Sequence, residues 1–174
     1  MKITMSVRAL TLSLCAIGVL SFTSCETLNP PAKKKPQAAR GPSTKVNEMV
    51  LKQSNRKNTR VVIDIADQKS YLLVNGKIAV TSPISSARPG KYTPRGTFNI
   101  SEKVRTGKIS TIYGVHMPYW MRLSGSAYGV HMGHLPGYPA SAGCVRLPEK
   151  AAQLIYDNTT YGTRVNIYSS WNGA

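Results

Sequence analysis

The stretch RVVIDIADQKSYLLVNGKIAVTS, residues 60–82, decides the fold. Val61-Val-Ile-Asp-Ile65 and Ser70-Tyr-Leu-Leu-Val74 are short β-branched and apolar runs, the composition of strands. Asn75-Gly76 joins the second run to Lys77-Ile-Ala-Val-Thr-Ser82 as a two-residue hairpin turn, because both residues tolerate the positive φ angles such a turn requires. Downstream, Pro89-Gly90 and Thr93-Pro-Arg-Gly96 punctuate a loop, and Gly96-Thr-Phe-Asn-Ile100 is a further strand. Tyr119 to Leu123 and Tyr128 to Met132 are strands on either side of Ser124-Gly-Ser126. Glu149 to Asn158 has the best helical pattern, with Ala151, Ala152, Leu154 and Ile155 on one apolar face and Pro148-Glu149 suited to a helix start. Gly162 ends that region, and Thr163 to Tyr168 closes with a strand. Strands at this close spacing predict a mainly β domain of sandwich or barrel type, with one short helix. No alternating βαβ pattern and no repeat of useful period is present.

The chain has 174 residues, enough for one domain plus appendages and for a core that folds without disulfide staples. Lys and Arg number 23 against 7 Asp and Glu, a formal charge of +16. That excess suits nucleic acid, an anionic membrane surface or an acidic wall polymer. The N-terminus narrows the choice. Lys2 and Arg8 precede an uncharged apolar run from Ala9 to Leu20, the length of a signal-peptide core and too short to span a bilayer. The run ends in Leu20-Ser-Phe-Thr-Ser-Cys25, and small residues directly before a cysteine resemble a bacterial lipobox, with Phe22 where Leu is the commoner residue. Cleavage there leaves residues 1–24 as a lipoprotein signal peptide and Cys25 as the lipidated residue. The alternative is an ordinary secretory signal, with Cys25 a free thiol. Either way the protein is exported to the cell envelope, on the periplasmic side, which argues against a nucleic-acid partner and for a membrane held through lipid on Cys25.

Residues 25–58 have the composition of a tether. NPPAKKKPQAARGPSTK is rich in Pro, Ala, Lys and small polar residues and has no period of 2 or 3.6. It serves as a solvated spacer or, through Lys33, Lys34 and Lys35, as an electrostatic contact with anionic lipid or wall polymer. Residues 46–57 carry a thin helical pattern. The folded domain is expected over residues 59–169, with 170–174 a tail.

Cysteine counting isolates one thiol. Of three cysteines, Cys15 lies inside the signal run and Cys25 is spent on lipid if the lipobox is used, which leaves Cys144. A lone thiol in an oxidising compartment is not half of an internal disulfide. It lies in GVHMGHLPGYPASAGCVRLP, residues 129–148, whose glycines and prolines predict a loop of largely predetermined path. A cysteine nucleophile needs a base or cation that favours its thiolate, and donors for the oxyanion. His131 supplies the base if the intervening loop folds back on itself. Gly143 permits close approach of backbone N–H groups to a carbonyl. Arg146 can hold a carboxylate or raise the local positive potential.

The same segment resembles the catalytic motif of the YkuD-type L,D-transpeptidases: a His, a variable loop, then Ser/Thr-His-Gly-Cys followed by an apolar residue and Arg or Asn. Here it reads His131, MGHLPGYPA, then Ser141-Ala142-Gly143-Cys144-Val145-Arg146. Thr93-Pro-Arg-Gly-Thr-Phe98 is similar to the family's TPxGxF, and Met117-Pro-Tyr-Trp-Met-Arg-Leu123 to its MPYxMRL strand. With the LPGYPAS run at residues 135–141, which is similar to that of one subgroup, four motifs occur in the family's order over residues 60–169. Ala142 departs from the usual His beside the Gly-Cys pair, which removes a supporting hydrogen bond and not the proton acceptor.

The resemblance implies a compact, barrel-like YkuD-type β domain with its short helix after the catalytic motif. It implies Cys144 as nucleophile and His131 as base, either taking the thiol proton or holding a preformed thiolate–imidazolium pair. Backbone around Gly143 and Ser141 would support the oxyanion, and Arg146, Tyr119 and Tyr138 would contact substrate. The substrate it implies is the tetrapeptide stem of peptidoglycan, with release of D-alanine and transfer of the acyl group to an amine, as a 3→3 cross-link or as protein anchoring. Water as acceptor would make an L,D-carboxypeptidase, and an idle thiol a stem-binding lipoprotein of the same fold. No metal or organic cofactor is required. The spacing of the three histidines and Cys144 matches no zinc cluster, and His116 and His134 fit exposed polar positions. Trp120 fits the substrate groove or the core equally, and Arg88 and Arg122 fit wall carboxylates or solvent.

Overall fold

The computed structural model describes residues 43–173; the expected signal peptide, Cys25 and the lysine run lie outside them. The domain is mainly β, and its sheet follows from the hairpin at its centre. Strand β2 (Thr59–Asp64) pairs antiparallel with β3 (Lys69–Val74), and β3 with β4 (Lys77–Pro83). Asn75 and Gly76 turn the chain at φ 51° and 76°, the positive pair a tight hairpin requires. Strand β5 (Gly96–Val104), β6 (Trp120–Leu123), β7 (Gly129–Met132), β8 (Val145–Leu147) and β9 (Arg164–Tyr168) complete the sheet with a two-residue strand β1 (Lys45–Val46). The order is β1-β4-β3-β2-β9-β5-β6-β7-β8.

Strand β5 curls the sheet. Its first half, Gly96 to Asn99, pairs with β9, and its second half, from Ile100, pairs with β6 after a register shift between Ile100 and Glu102. An extra residue at such a bulge bends a strand and raises its twist. The two ends of the sheet then approach each other, and isolated bridges join Ser85 to Arg146 and Ala87 to Ser141. The helix α2 (Glu149–Asp157) lays Ala151, Ala152 and Ile155 into the core enclosed by the sheet. Lys103 donates to the Tyr156 and Thr159 carbonyls at its C-terminal end, where a cation complements the helix dipole.

Two expectations need correction. Of the spacer placed at 25–58, the described part is packed against the domain. β1 pairs with β4, the short helix α1 (Glu48–Leu51) buries Leu51 to 8% exposure, and Ser54 donates to Asn158 Oδ1 at 2.6 Å. Three apolar residues, Val46, Val50 and Leu51, are too few to show a period, yet together they cover the end of the core. The tail is also held: Trp171 packs its ring on Tyr71 at 4.6 Å, and its amide donates to the buried Asp64 carboxylate. Among the described residues no helix is long and apolar enough to cross a membrane.

Candidate active site

Besides the expected strand ending at Met132, the segment read as loop contains a second one. β7 and β8 lie parallel, with Val130 opposite Val145, His131 opposite Arg146 and Met132 opposite Leu147. Because side chains alternate across a strand, Val130 and Val145 face the core, where both are buried. His131 and Arg146 face the other way, and Cys144, one residue before β8 and two before Arg146, shares their face. Continued by one residue, the register puts Cys144 opposite Gly129, whose amide meets the thiol, and Gly129 lies two residues before His131 on the same face.

His131 is only 6% exposed, and its Nδ1 lies 2.7 Å from the Met132 carbonyl. A carbonyl oxygen can only accept, so Nδ1 carries the proton and Nε2 is left as the acceptor of the ring. Burial is the main influence on both groups. It pushes the His131 imidazole below its ordinary value, against the Met132 carbonyl and reinforced by the Arg146 charge. It pushes the Cys144 thiol up, against the Gly129 amide and the Arg146 charge, both of which favour the thiolate. Both groups therefore rest neutral near pH 7. Arg146 pairs with no carboxylate among the described residues, so its charge remains available on that face.

The turn before Cys144 is held by Ser141 together with Thr93, Ser85, Ser86 and Gln68, whose contact with it the sequence did not show. The Ser141 hydroxyl, buried, donates to the Cys144 carbonyl and accepts the Gly143 amide at 3.1 Å. Thr93 Oγ1 accepts the Ala87 amide at 3.0 Å and donates to the Gly143 carbonyl at 2.9 Å. Ser85 donates to the Tyr138 carbonyl, the Ser86 carbonyl accepts the Ala140 and Ser141 amides, and Gln68 ties Ser86 in turn. Gly143 has φ 144°, and a Cβ there would lie 2.1 Å from the Tyr128 ring, so glycine is required on both counts.

These contacts revise three expected roles. Ser141 shapes the turn from its buried position. The Gly143 N–H is engaged by Ser141, while the Cys144 N–H makes no hydrogen bond among the described residues; the free donor for an oxyanion is the amide of the nucleophile itself. The Tyr119 ring packs edge-on to Tyr156 of α2 at 5.7 Å, under the Arg105 guanidinium. It is its neighbour Trp120, 2% exposed, that meets His131, at 6.0 Å between ring centres. Tyr138 stands exposed on the loop, and His116 and His134 are exposed as expected. Among the described residues no three His, Cys, Asp or Glu side chains converge as a metal requires.

The curled, mainly β sheet with one short helix defines a class by its fold, and the comparisons with known proteins name the family. Residues 58–167, more than half the chain, match the model of the YkuD L,D-transpeptidase catalytic domain, and the chain belongs to that family. No curated protein matches it by sequence. Among solved structures it is similar to an L,D-transpeptidase from Stackebrandtia nassauensis, with 24% identity and TM-score 0.60 over 70% of this chain and 60% of that one. A crystal structure of residues 123-326 of an L,D-transpeptidase from Xylanimonas cellulosilytica gives 28% identity and TM-score 0.59 over 66% of this chain and 62% of that one. A structure of the LD transpeptidase LdtMt1 in complex with imipenem gives 23% and 0.60, over 64% and 59%. The chain thus spans about 60% of the length of such solved relatives.

Proposed function

We propose that this protein is a cell-wall L,D-transpeptidase, anchored in the envelope by lipid on Cys25, that works on peptidoglycan tetrapeptide stems through a Cys144 thioester. The observation that carries the chemistry is the parallel pairing of β7 and β8, which sets His131 and Cys144 on one face with Nδ1 committed to the Met132 carbonyl. Family membership supports the reaction class. The envelope location rests on the charged start, apolar run and lipobox-like end of residues 1–25.

The resting pair is a neutral thiol and a neutral imidazole, since burial disfavours charge on both. As the Cys144 sulfur attacks the carbonyl of the third stem residue, His131 Nε2 takes the thiol proton. The carbonyl oxygen becomes an oxyanion facing the Cys144 N–H, with Arg146 supplying positive potential. Collapse breaks the bond to D-alanine, whose departing nitrogen takes the proton back from Nε2, and a thioester remains. An amine then attacks the thioester, its proton passes to His131, and sulfur leaves to regain the thiol. Tyr138, exposed on the loop between β7 and Cys144, is assigned to the stem on the strength of that exposure.

A carbapenem tests this directly, since one structural relative is in complex with imipenem. Intact-mass measurement should show one adduct on the folded protein, absent in Cys144→Ala and slowed by His131→Gln by roughly 10²–10⁴-fold, the usual worth of a positioned base. A folded protein that takes no adduct overturns the enzymatic assignment in favour of a stem-binding protein with an idle thiol, the outcome that Ala142 would explain. Mass analysis after incubation with tetrapeptide-bearing muropeptides then separates transfer to an amine from hydrolysis.

A further inference from the structure

The face that carries His131 also carries a charged cluster that the chemistry above does not use. Glu102 of β5 accepts Trp120 Nε1 at 3.0 Å and Arg122 Nε at 2.8 Å on one carboxylate oxygen, and Lys108 Nζ at 2.7 Å on the other. Strand register explains the convergence: Glu102 lies opposite Arg122, and Arg122 opposite Gly129, two residues before His131 on the same side of the sheet. The Trp120 indole fills the space this arrangement leaves. A Cβ on Gly129 would lie 2.6 Å from the indole, and Lys108 stands over the same ring at 5.6 Å. His131 is thus fixed at Nδ1 by the Met132 carbonyl and flanked by an indole whose only polar atom is held by Glu102. Three donors on one carboxylate, Lys108 foremost, keep its pKa down at about 2, so Glu102 is charged whenever the site works.

We propose that Glu102 is a positioning residue for His131, anchoring the Trp120 indole against the imidazole and neutralising the cations Lys108 and Arg122 on its side of the sheet. The proposal builds on the assignment of His131 as the base of Cys144. The charged and titratable groups facing the imidazole are Arg146 and Cys144 from the β8 side, and Glu102, Lys108 and Arg122 through the indole. Without the carboxylate charge, Lys108 and Arg122 join Arg146 as three uncompensated cations, and the imidazolium that forms as the thiol is deprotonated becomes harder to reach.

The test is an NMR titration of the His131 ring in the full chain, assigned with His131→Gln, on wild type, Glu102→Gln, Glu102→Asp and Lys108→Gln. Glu102→Gln keeps the size of the side chain and an acceptor for the indole but removes the charge. Its imidazole midpoint should move to lower pH, its Trp120 Nε1–H resonance should shift, and carbapenem acylation at neutral pH should slow by about fivefold, the scale of one charge acting through partly solvated protein. Glu102→Asp should return the midpoint toward wild type. Lys108→Gln, in an exposed loop, should move it to higher pH. An unchanged midpoint in Glu102→Gln, or movement in the same direction in Glu102→Gln and Lys108→Gln, overturns the proposal. Should Glu102→Gln fail to fold, Lys108→Gln decides alone, and no upward movement there overturns it. A wild-type protein that titrates as described but takes no carbapenem would remove the enzymatic assignment and leave the positioning of His131 standing.

Discussion

At Cys144 the neutral resting pair has a direct chemical signature. A preformed thiolate–imidazolium pair would alkylate quickly at neutral pH, whereas a thiol raised by burial stays protonated past its ordinary value of 9.0. Iodoacetamide labelling of the folded protein is therefore expected to be slow at pH 7 and still rising above pH 9, followed as added mass against Cys144→Ala. Gly143 is the second residue on which the site turns. Gly143→Ala forces a side chain into a φ of 144° and against the Tyr128 ring. A folded-state loss of about 1–3 kcal/mol is expected, seen as a lower urea midpoint, with acylation falling further than stability because the turn before Cys144 must shift. Cysteine counting, the Gly-Cys pair and the order His then Cys made these residues legible in the sequence. Glu102, Thr93 and Tyr128 were not legible as neighbours of the site, since each reaches it across the sheet and only strand register shows which face they share.

Among the elements, the hairpin at Asn75-Gly76, the strands from β5 to β7, α2 and β9 all follow from local composition, because each has a turn signal or an apolar face of sufficient length. β8 was hidden. Its three residues, Val145 to Leu147, are extended because β7 pairs with them, and a run that short has no pattern of its own. β1 was hidden for the same reason, inside a stretch whose upstream half reads as a spacer, while α1 falls within the thin helical pattern of residues 46–57. Leu51 tests whether that segment belongs to the domain: as a nearly buried leucine at the edge of the core, Leu51→Ala is expected to cost about 2 kcal/mol, measured by urea unfolding. A change near zero would return residues 45–54 to the spacer.

At the scale of the whole molecule, His131 and Glu102, among the described residues, shape the response to acid. The neutral His131 ring contributes stability that is complete above 6.5, the ordinary imidazole value, and is lost as pH falls and the unfolded chain takes up its proton first. The Glu102 carboxylate contributes stability that is complete above its ordinary value of 4.5 and is lost as pH falls toward about 2. Its share is modest, because a third of the side chain is exposed. Thermal midpoints recorded from pH 8 to pH 3 should fall first below 6.5 and again below 4.5, with the second decline flattened in Glu102→Gln. The order of strands has a further consequence. β9, last in the chain, sits between β2 and β5 in the middle of the sheet and pairs with both, on the side opposite the Ser85 and Ala87 bridges that also link its two halves. A polypeptide threaded N-terminus first through a translocation channel presents both reactive side chains before that strand has emerged. Under the export proposed for this chain, the sheet is complete only once residue 168 is through, and Cys144 and His131 gain its central strand at the very end of delivery.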